Sequence, residues 1–325
     1  MGLEIIMTSM IIIGFIIIIL VVVVILFVYR GTIDLAFSNG GLESTDYLAG
    51  EPQVTEGVEW FDDWYTIQFI DEKTVSIGEP LFKQLNYHYL ITGEAFAILF
   101  DTGPGIRDIT PIVKSLTSLP IITVPSHLHW DHVGNINRFE RVALLDLLNL
   151  RESVSNGFFQ PTPEQHLGKS KKTPRPKFHV TEWWKPGETV ELGKRKLQVI
   201  HAPGHAPESI MLFDPDRNQL FTGDFITMGD LLAYLPGSSL KDYLDTTCKL
   251  LSMTNEKTLL LTAHDVAREG DSAPLLAYQD LTDLRDTLQG IKNVTLFGHG
   301  LYPRRYIINQ KLAILTDFPW LTKWN

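Results

Sequence analysis

The sequence predicts an α/β domain of two β-sheets packed together and covered outside by helices, preceded by one helix of membrane-spanning length. Three observations carry this reading. Residues 5–29 hold no charge, strand-like runs occur in both halves with helical runs after them, and His or Asp residues stand just beyond several of those runs. The chain has 325 residues, within the range of one large domain or two small ones.

The first element is the uncharged run, almost entirely Ile, Val, Leu, Phe and Met and broken only by Thr8, Ser9 and Gly14. As a helix it would rise ~37 Å, enough for the ~30 Å hydrocarbon core of a bilayer. A core helix would show polar residues at a 3.6 period, and this one shows none on any face. Residues 5–29 are therefore expected to form a transmembrane helix, making the chain a single-pass membrane protein with the membrane as a partner. Glu4 precedes the run and Arg30 follows it, so the positive-inside bias favours a cytoplasmic body by one charge. The triplet Asn293-Val294-Thr295, a glycosylation sequon, points the other way. A Gly/Ser-containing linker over 30–57 leads to a body over 58–325.

In the body, residues 66–70, 74–77, 86–92 and 95–100 read as strands, rich in β-branched and aromatic residues with turn residues between. Residues 109–116 read as a helix and 121–124 as a short covered strand. Further strands are expected at 197–200, 210–213, 219–221 and 258–261. Helices are expected at 240–251, capped by Ser238 or Ser239, and at 274–288.

Composition narrows the chemistry. Lys and Arg number 28 against 38 Asp and Glu, a net charge of −10, so phosphate backbones are repelled and nucleic acid is excluded as a partner. The single cysteine, Cys248, excludes an internal disulfide, a cysteine-cluster zinc site and iron–sulfur ligation. Within its helix it is expected to face the core. A metal here must be held by His and carboxylate.

The strongest local signal follows the 121–124 strand: His127-Leu128-His129-Trp130-Asp131-His132. Desolvating three imidazoles and a carboxylate without partners destabilises a fold, so their concentration needs a use. Alternate residues of an extended chain point the same way, so His127 and His129 can converge on one ion. Asp131 and His132, where the chain turns into a helix, can face a second. His201-Ala202-Pro203-Gly204-His205, Phe221-Thr222-Gly223-Asp224 and Leu261-Thr262-Ala263-His264-Asp265 each place His or Asp beyond an apolar strand. One pocket collects ligands from distant parts of a chain in this way.

These residues resemble the metallo-β-lactamase superfamily, whose signature is His-x-His-x-Asp-His followed by a His, an Asp and a His at strand ends. The resemblance runs from about Thr66 to Leu315 and implies a four-layer αβ/βα sandwich. It implies that His127, His129 and His205 bind one metal, that Asp131, His132 and His264 bind the second, and that Asp224 bridges them. It makes Asp101 the buried aspartate that orients a ligand, and leaves His201 outside the ligand set, behind the ligands or in the core. Six N and O ligands around a bridging carboxylate suit two zinc ions per chain better than magnesium. Such a pair brings a shared water's pKa to ~7 or below, and the bound hydroxide attacks a carbonyl or phosphoryl centre.

Departures from the superfamily's branches narrow the substrate. His132 and Asp224 stand where one β-lactam-cleaving branch carries Arg and Cys. The ligand set equals that of glyoxalase II, yet the stretch after Asp224 lacks the Gly-Cys-Gly-Lys that grips glutathione there. The run from Leu231 to Leu244 resembles the acyl-ester and acyl-thioester hydrolases. The expected activity is hydrolysis of a carboxylic ester, lactone or thioester, with a small acyl compound of the acyl-coenzyme A kind among the substrates. Phosphodiester cleavage is the alternative; β-lactam hydrolysis or a non-enzymatic metal scaffold stand behind it. Asp131 and Tyr234 are the catalytic candidates, Tyr234 as a hydroxyl that steadies an oxyanion. Lys171, Lys172 and Arg175, in the basic run 169–177, are candidate contacts for a phosphate-bearing group, against a solvated loop or one touching anionic headgroups.

Overall fold

Ile98 and Phe100 point to one side of their strand and Ala97 and Leu99 to the other, and each pair enters a different hydrophobic core. This period-2 alternation organises the body. The computed structural model describes residues 2–29, 55–169, 171–265, 272–322 and 324.

The first sheet runs in the order β1 (Val58–Trp60), β2 (Thr66–Asp71), β3 (Thr74–Glu79), β4 (Asn86–Thr92), β5 (Ala97–Phe100) and β6 (Ile121–Val124). Neighbours are antiparallel except β5 and β6, which are parallel and joined through helix α2 (Thr110–Leu116). Smaller elements follow: α3 (Trp130–Val133), β7 (Ala143–Leu145), α4 (Leu148–Glu152), β8 (Phe158–Phe159), α5 (Pro163–His166), β9 (Phe178–His179) and β10 (Glu182–Trp184). The second sheet joins β11 (Thr189–Glu191), β12 (Lys196–His201), β13 (Ile210–Asp214) and β14 (Gln219–Gly223). Strand β15 (Gly229–Ala233) and helix α6 (Leu240–Met253) intervene before that sheet resumes with β16 (Leu259–Thr262) and β17 (Leu275–Ala277). Helix α7 (Tyr278–Lys292) follows, then β18 (Arg304–Ile307) and β19 (Leu312–Thr316), which form a three-stranded sheet with β15.

Three cores stack the layers. Between the sheets, Tyr89, Ile98, Phe100 and Val124 meet Leu197, Val199, Leu212 and Phe221. Outside the first sheet, Ala97 and Leu99 meet Ile112 and Val113 of α2. Outside the second, Ile200, Met211 and Leu220 meet Tyr243 and Leu244 of α6 and Leu284 and Leu288 of α7. The result is the expected helix–sheet–sheet–helix sandwich.

Register fixes which ends of the strands share an end of the sandwich. Thr92 pairs with Ala97 at one end of β4 and β5, and Tyr89 with Phe100 towards the other. Strands β5 and β6 run parallel, as do β14 and β16, so each pair delivers its C-terminal residues together. At the opposite end sits Arg195, 3% exposed. Its guanidinium donates to Asp214 Oδ2 (2.8 Å), Thr74 Oγ1 (2.9 Å), Gln219 Oε1 (3.1 Å) and the Lys73 carbonyl (2.7 Å). Gln219 in turn donates to Asp71 Oδ2 at 2.8 Å. This network ties the β2–β3 turn of one sheet to β13 and β14 of the other.

By contacts the chain divides into residues 1–40 and 41–325. The first unit holds helix α1 (Gly2–Val28), so the expected helix forms. Among the described residues no helix is long and apolar enough to cross a membrane. The expected transmembrane helix, the membrane as partner and the single-pass membrane localisation are corrected accordingly. Of the expected linker over 30–57, residues 30–54 lie outside the described residues.

Smaller corrections have local causes. Cys248 is exposed, because the buried stripe of α6 runs through Leu240, Tyr243, Leu244, Thr247 and Leu250 and leaves position 248 off it. The helix expected from 274 begins at Tyr278, since Leu275–Ala277 pairs with β16 instead. Ser239 is the cap of α6, its side chain accepting from the Asp242 N–H at 3.2 Å.

Candidate metal centre

Every expected ligand sits where an apolar strand or its following turn reaches one end of the sandwich. The turn after β6 carries His127 and His129, and α3 carries Asp131 and His132. The loop after β12 supplies His205, the end of β14 supplies Asp224, and the residues after β16 supply His264. Gly223, at φ +55°, lets β14 turn there; a Cβ at that position would lie 2.5 Å from Ser126 Cβ.

The side chains converge as two groups. His127, His129, His205 and Asp224 form one, and Asp131, His132 and His264 the other; within each, the candidate ligand atoms all lie within 4.8 Å of one another. Asp224 stands between them. Its Oδ2 is 3.9 Å from His127 Nε2 and 3.7 Å from His205 Nε2. Its Oδ1 is 3.3 Å from His132 Nε2 and 3.2 Å from His264 Nε2. Asp131 closes the second group, with Oδ1 3.8 Å from His132 Nε2 and Oδ2 3.6 Å from His264 Nε2.

The far sides of the His132, His205 and His264 rings are held. His132 Nδ1 donates to Asp101 Oδ2 at 3.0 Å, while Asp101 Oδ1 accepts from the Ser126 N–H at 2.6 Å. Asp101 itself has φ +68°, a conformation non-glycine residues seldom adopt. His205 Nδ1 donates to the Leu232 carbonyl (3.1 Å) and His264 Nδ1 to the Gln84 carbonyl (3.2 Å). A carbonyl only accepts, so each of these rings carries a proton on Nδ1 and turns its Nε2 inward. Thr227 grips the His264 backbone from both sides, donating to its carbonyl (2.7 Å) and accepting from its N–H (3.0 Å).

The inward nitrogens crowd one another, with His205 Nε2 3.1 Å from His129 Nδ1. His132 Nε2 and His264 Nε2 face each other at 3.4 Å, each with its Nδ1 already committed. His127 Nε2 is buried with no hydrogen-bond partner. A site of inward nitrogens and carboxylate oxygens, desolvated and unpaired, fits divalent cations. Charge balance agrees. Burial alone would push His132 and His264 down, but Asp224 above all, with Asp131, outweighs it and raises both. A proton there takes the place of a cation. Burial also opposes ionisation of Asp224, yet His264 and His132 hold its carboxyl well below the usual range. His127, lacking a comparable share of carboxylates, is driven well below its ordinary value by burial and the surrounding imidazoles.

Residues 86–292 match the description "Metallo-beta-lactamase superfamily". The chain belongs to that superfamily. It is a hydrolase of the superfamily, with His/Asp groups suited to divalent metal. Among similar curated proteins is the acyl-coenzyme A thioesterase MBLAC2 of Homo sapiens, 28% identical over 218 residues, covering 59% of this chain and 77% of that protein. The MBLAC2 thioesterase of Bos taurus is 27% identical over the same shares. The probable metallo-hydrolase YqgX of Bacillus subtilis is 26% identical, over 59% of this chain and 92% of its own. Of solved structures, a metallo-beta-lactamase from Pontibacter korlensis is similar in fold, with a TM-score of 0.51 at 16% identity, covering 69% of this chain and 99% of that one.

The remaining expected residues are placed differently. His201 lies outside both groups: its Nε2 donates to the Pro207 carbonyl at 2.7 Å and braces the loop that carries His205. Tyr234 follows β15, two residues after Leu232, with its ring edge-on to Tyr302 at 5.9 Å. Lys171 is buried and Lys172 exposed, and Arg175 donates to the Pro161 carbonyl at 2.9 Å. Trp130 packs in the outer core against Phe82. Sequence reasoning missed Ser126, whose Oγ lies 3.0 Å from His127 Nδ1, and Gln84, which acts through its backbone carbonyl. It also missed Tyr243, whose fully buried hydroxyl has no hydrogen-bond partner and whose titration the Asp224 charge raises further after burial.

Proposed function

We propose that residues 58–325 form a catalytic domain that holds two zinc ions and hydrolyses an acyl thioester, with a small acyl-coenzyme A-like compound as substrate. One observation carries the reading: Asp224 turns one oxygen to each of two buried groups of inward-facing imidazole nitrogens. His127, His129 and His205 hold one ion, Asp131, His132 and His264 the other, and Asp224 joins both. When bound, such a pair supplies an activated water and a Lewis acid for the carbonyl oxygen.

The protein's part is positional. Asp101 orients His132, while the Leu232 and Gln84 carbonyls orient His205 and His264, so that reacting atoms meet a site formed in advance. Asp131, 5% exposed, accepts the proton that leaves the attacking water. Tyr234 is assigned the hydroxyl that donates to the developing oxyanion. The thioester preference is supported by the named activity of relatives of which this chain spans 77%. Lys172 and Arg175, both exposed, are assigned to a phosphate-bearing leaving group and Lys171 to holding their loop.

The test is elemental analysis of the full chain together with turnover of an acyl thioester and of bis-nitrophenyl phosphate. Two zinc per chain and faster thioester cleavage are expected. Faster phosphodiester cleavage would replace the substrate class, and an active protein free of metal would remove the mechanism. Asp131→Ala is expected to abolish thioester turnover with the fold intact.

A further inference from the structure

Helix α3 is a single turn, so its carbonyls have no N–H further along the helix to meet them. They are met from outside. The His132 carbonyl accepts from the Thr102 N–H (2.9 Å) and from Thr102 Oγ1 (3.0 Å). The Asp131 carbonyl accepts from Asn86 Nδ2 at 3.0 Å, in a buried bond. A turn that aims metal ligands depends on such outside partners for its orientation.

Asn86 opens β4 in the first sheet, and its main chain is engaged as well. It faces His264 in an isolated antiparallel bridge. On either side of that bridge the Tyr87 N–H donates to the Ala263 carbonyl (2.8 Å) and the Asp265 N–H to the Leu85 carbonyl (3.3 Å). Residues 263–265 follow β16 of the second sheet. One residue of the first sheet therefore holds the backbone of two ligands of the second group, Asp131 through its side chain and His264 through its main chain. The third, His132, follows Asp131 directly. With the Gln84 carbonyl accepting from His264 Nδ1, segment 84–87 sets both where that ring sits and which way it turns.

Stability alone does not account for the amide. Asn86 is 1% exposed, and its Oδ1 has no hydrogen-bond partner among the described residues. Leaving a buried amide oxygen unpaired costs as much as the one bond from Nδ2 returns, or more. A leucine, with the same branching, would fill the space without that cost. What leucine cannot do is donate to the Asp131 carbonyl. Asp131 Oδ2 and His264 Nε2 converge to 3.6 Å from the ends of different sheets, and a shift of either backbone would part them.

We propose that Asn86 is a positioning residue for the second metal site, holding the Asp131 main chain in register with that of His264. This rests on the two-ion reading above and deepens it: Asp101 aims one ring of that site, whereas Asn86 sets the spacing between its ligands. Outer partners of metal ligands typically account for about 10–100-fold in metal affinity, and Asn86 is expected to fall in that range.

The experiment uses the full chain, stripped and reloaded with zinc against a competing chelator, as wild type, Asn86→Leu and Asn86→Ala. Circular dichroism of the metal-free proteins identifies the folded forms. Both variants lack the donor, but only Asn86→Ala leaves a cavity. Each is expected to weaken one zinc site by about tenfold or more while the other keeps its affinity. Combined with Asp101→Asn, Asn86→Leu should further weaken the zinc that Asp101→Asn already weakens and spare the other. On an acyl thioester, kcat should fall by more than KM rises. Wild-type affinity at both sites in Asn86→Leu would overturn the proposal, since packing would then suffice, and so would an equal loss at both sites. If Asn86→Leu does not fold, Asn86→Ala is read in its place, and either of those two results overturns the proposal there. A wild-type chain that takes up no zinc is a different result, seen before any substitution, and overturns the two-ion reading itself.

Discussion

Two buried polar clusters lie at opposite ends of one sandwich, and they are built to opposite rules. Around Arg195, opposite charge and hydrogen-bond donors meet acceptors at 2.7–3.1 Å, including Asp214, Thr74 and Gln219. Around Asp224 the pairing is incomplete: the His132 and His264 Nε2 atoms face each other at 3.4 Å, and His127 Nε2 has no partner. The first cluster is complete as it stands and works as structure. The second is incomplete by design of its donors, and that incompleteness, more than the presence of His and Asp, separates a site from a buried salt bridge.

Breaking the complete cluster should give the largest loss of stability. Arg195→Met leaves Asp214, fully buried, without its counter-charge, and is expected to cost about 3–5 kcal/mol in denaturant unfolding. Thioester turnover per folded molecule should be unchanged; a drop in kcat would show that the two ends are coupled. At the incomplete end the sign reverses. Asp224→Asn is expected to lose at least one zinc and more than about 100-fold in turnover, beyond the range for an outer partner, with less loss of metal-free stability than Arg195→Met. Asp101→Asn keeps a side chain beside His132 but loses the charge, so zinc affinity at the second site should fall by about 10–100-fold.

Acid should act on one cluster and spare the other. His132 and His264 are raised in the metal-free protein, so an incoming cation must displace protons from them, and its affinity rises with pH through that window. Zinc titrations at pH 6 and pH 8 should show tighter binding at the higher pH; equal binding would remove those two rings from the site. The smallest effect belongs to the loop beyond: Lys172→Ala is expected to weaken binding of a coenzyme A ester a few-fold, on the scale of one exposed charge, and to leave a neutral ester unaffected.

The two clusters also differ in how far they could be read from residues alone. The site announced itself because His127, His129, Asp131 and His132 fall together, and because His205, Asp224 and His264 each follow an apolar run. Arg195, Asp214, Gln219 and Thr74 share no spacing, and an arginine or glutamine in sequence reads as surface until pairing of distant strands buries it. The two sheets were legible from runs of β-branched and aromatic residues between turns, and β15 was not, because its partner β19 lies some eighty residues on.

The sandwich is thus clasped permanently at one rim, and on the proposed reading only conditionally at the other, where histidines from both sheets share the same ions. Withdrawing those ions should let the second rim gape while the first stays shut. Amide hydrogen exchange would then quicken around residues 126–132 and 202–209 but not around Arg195, so that scarcity of metal marks the protein by local opening well before it unfolds.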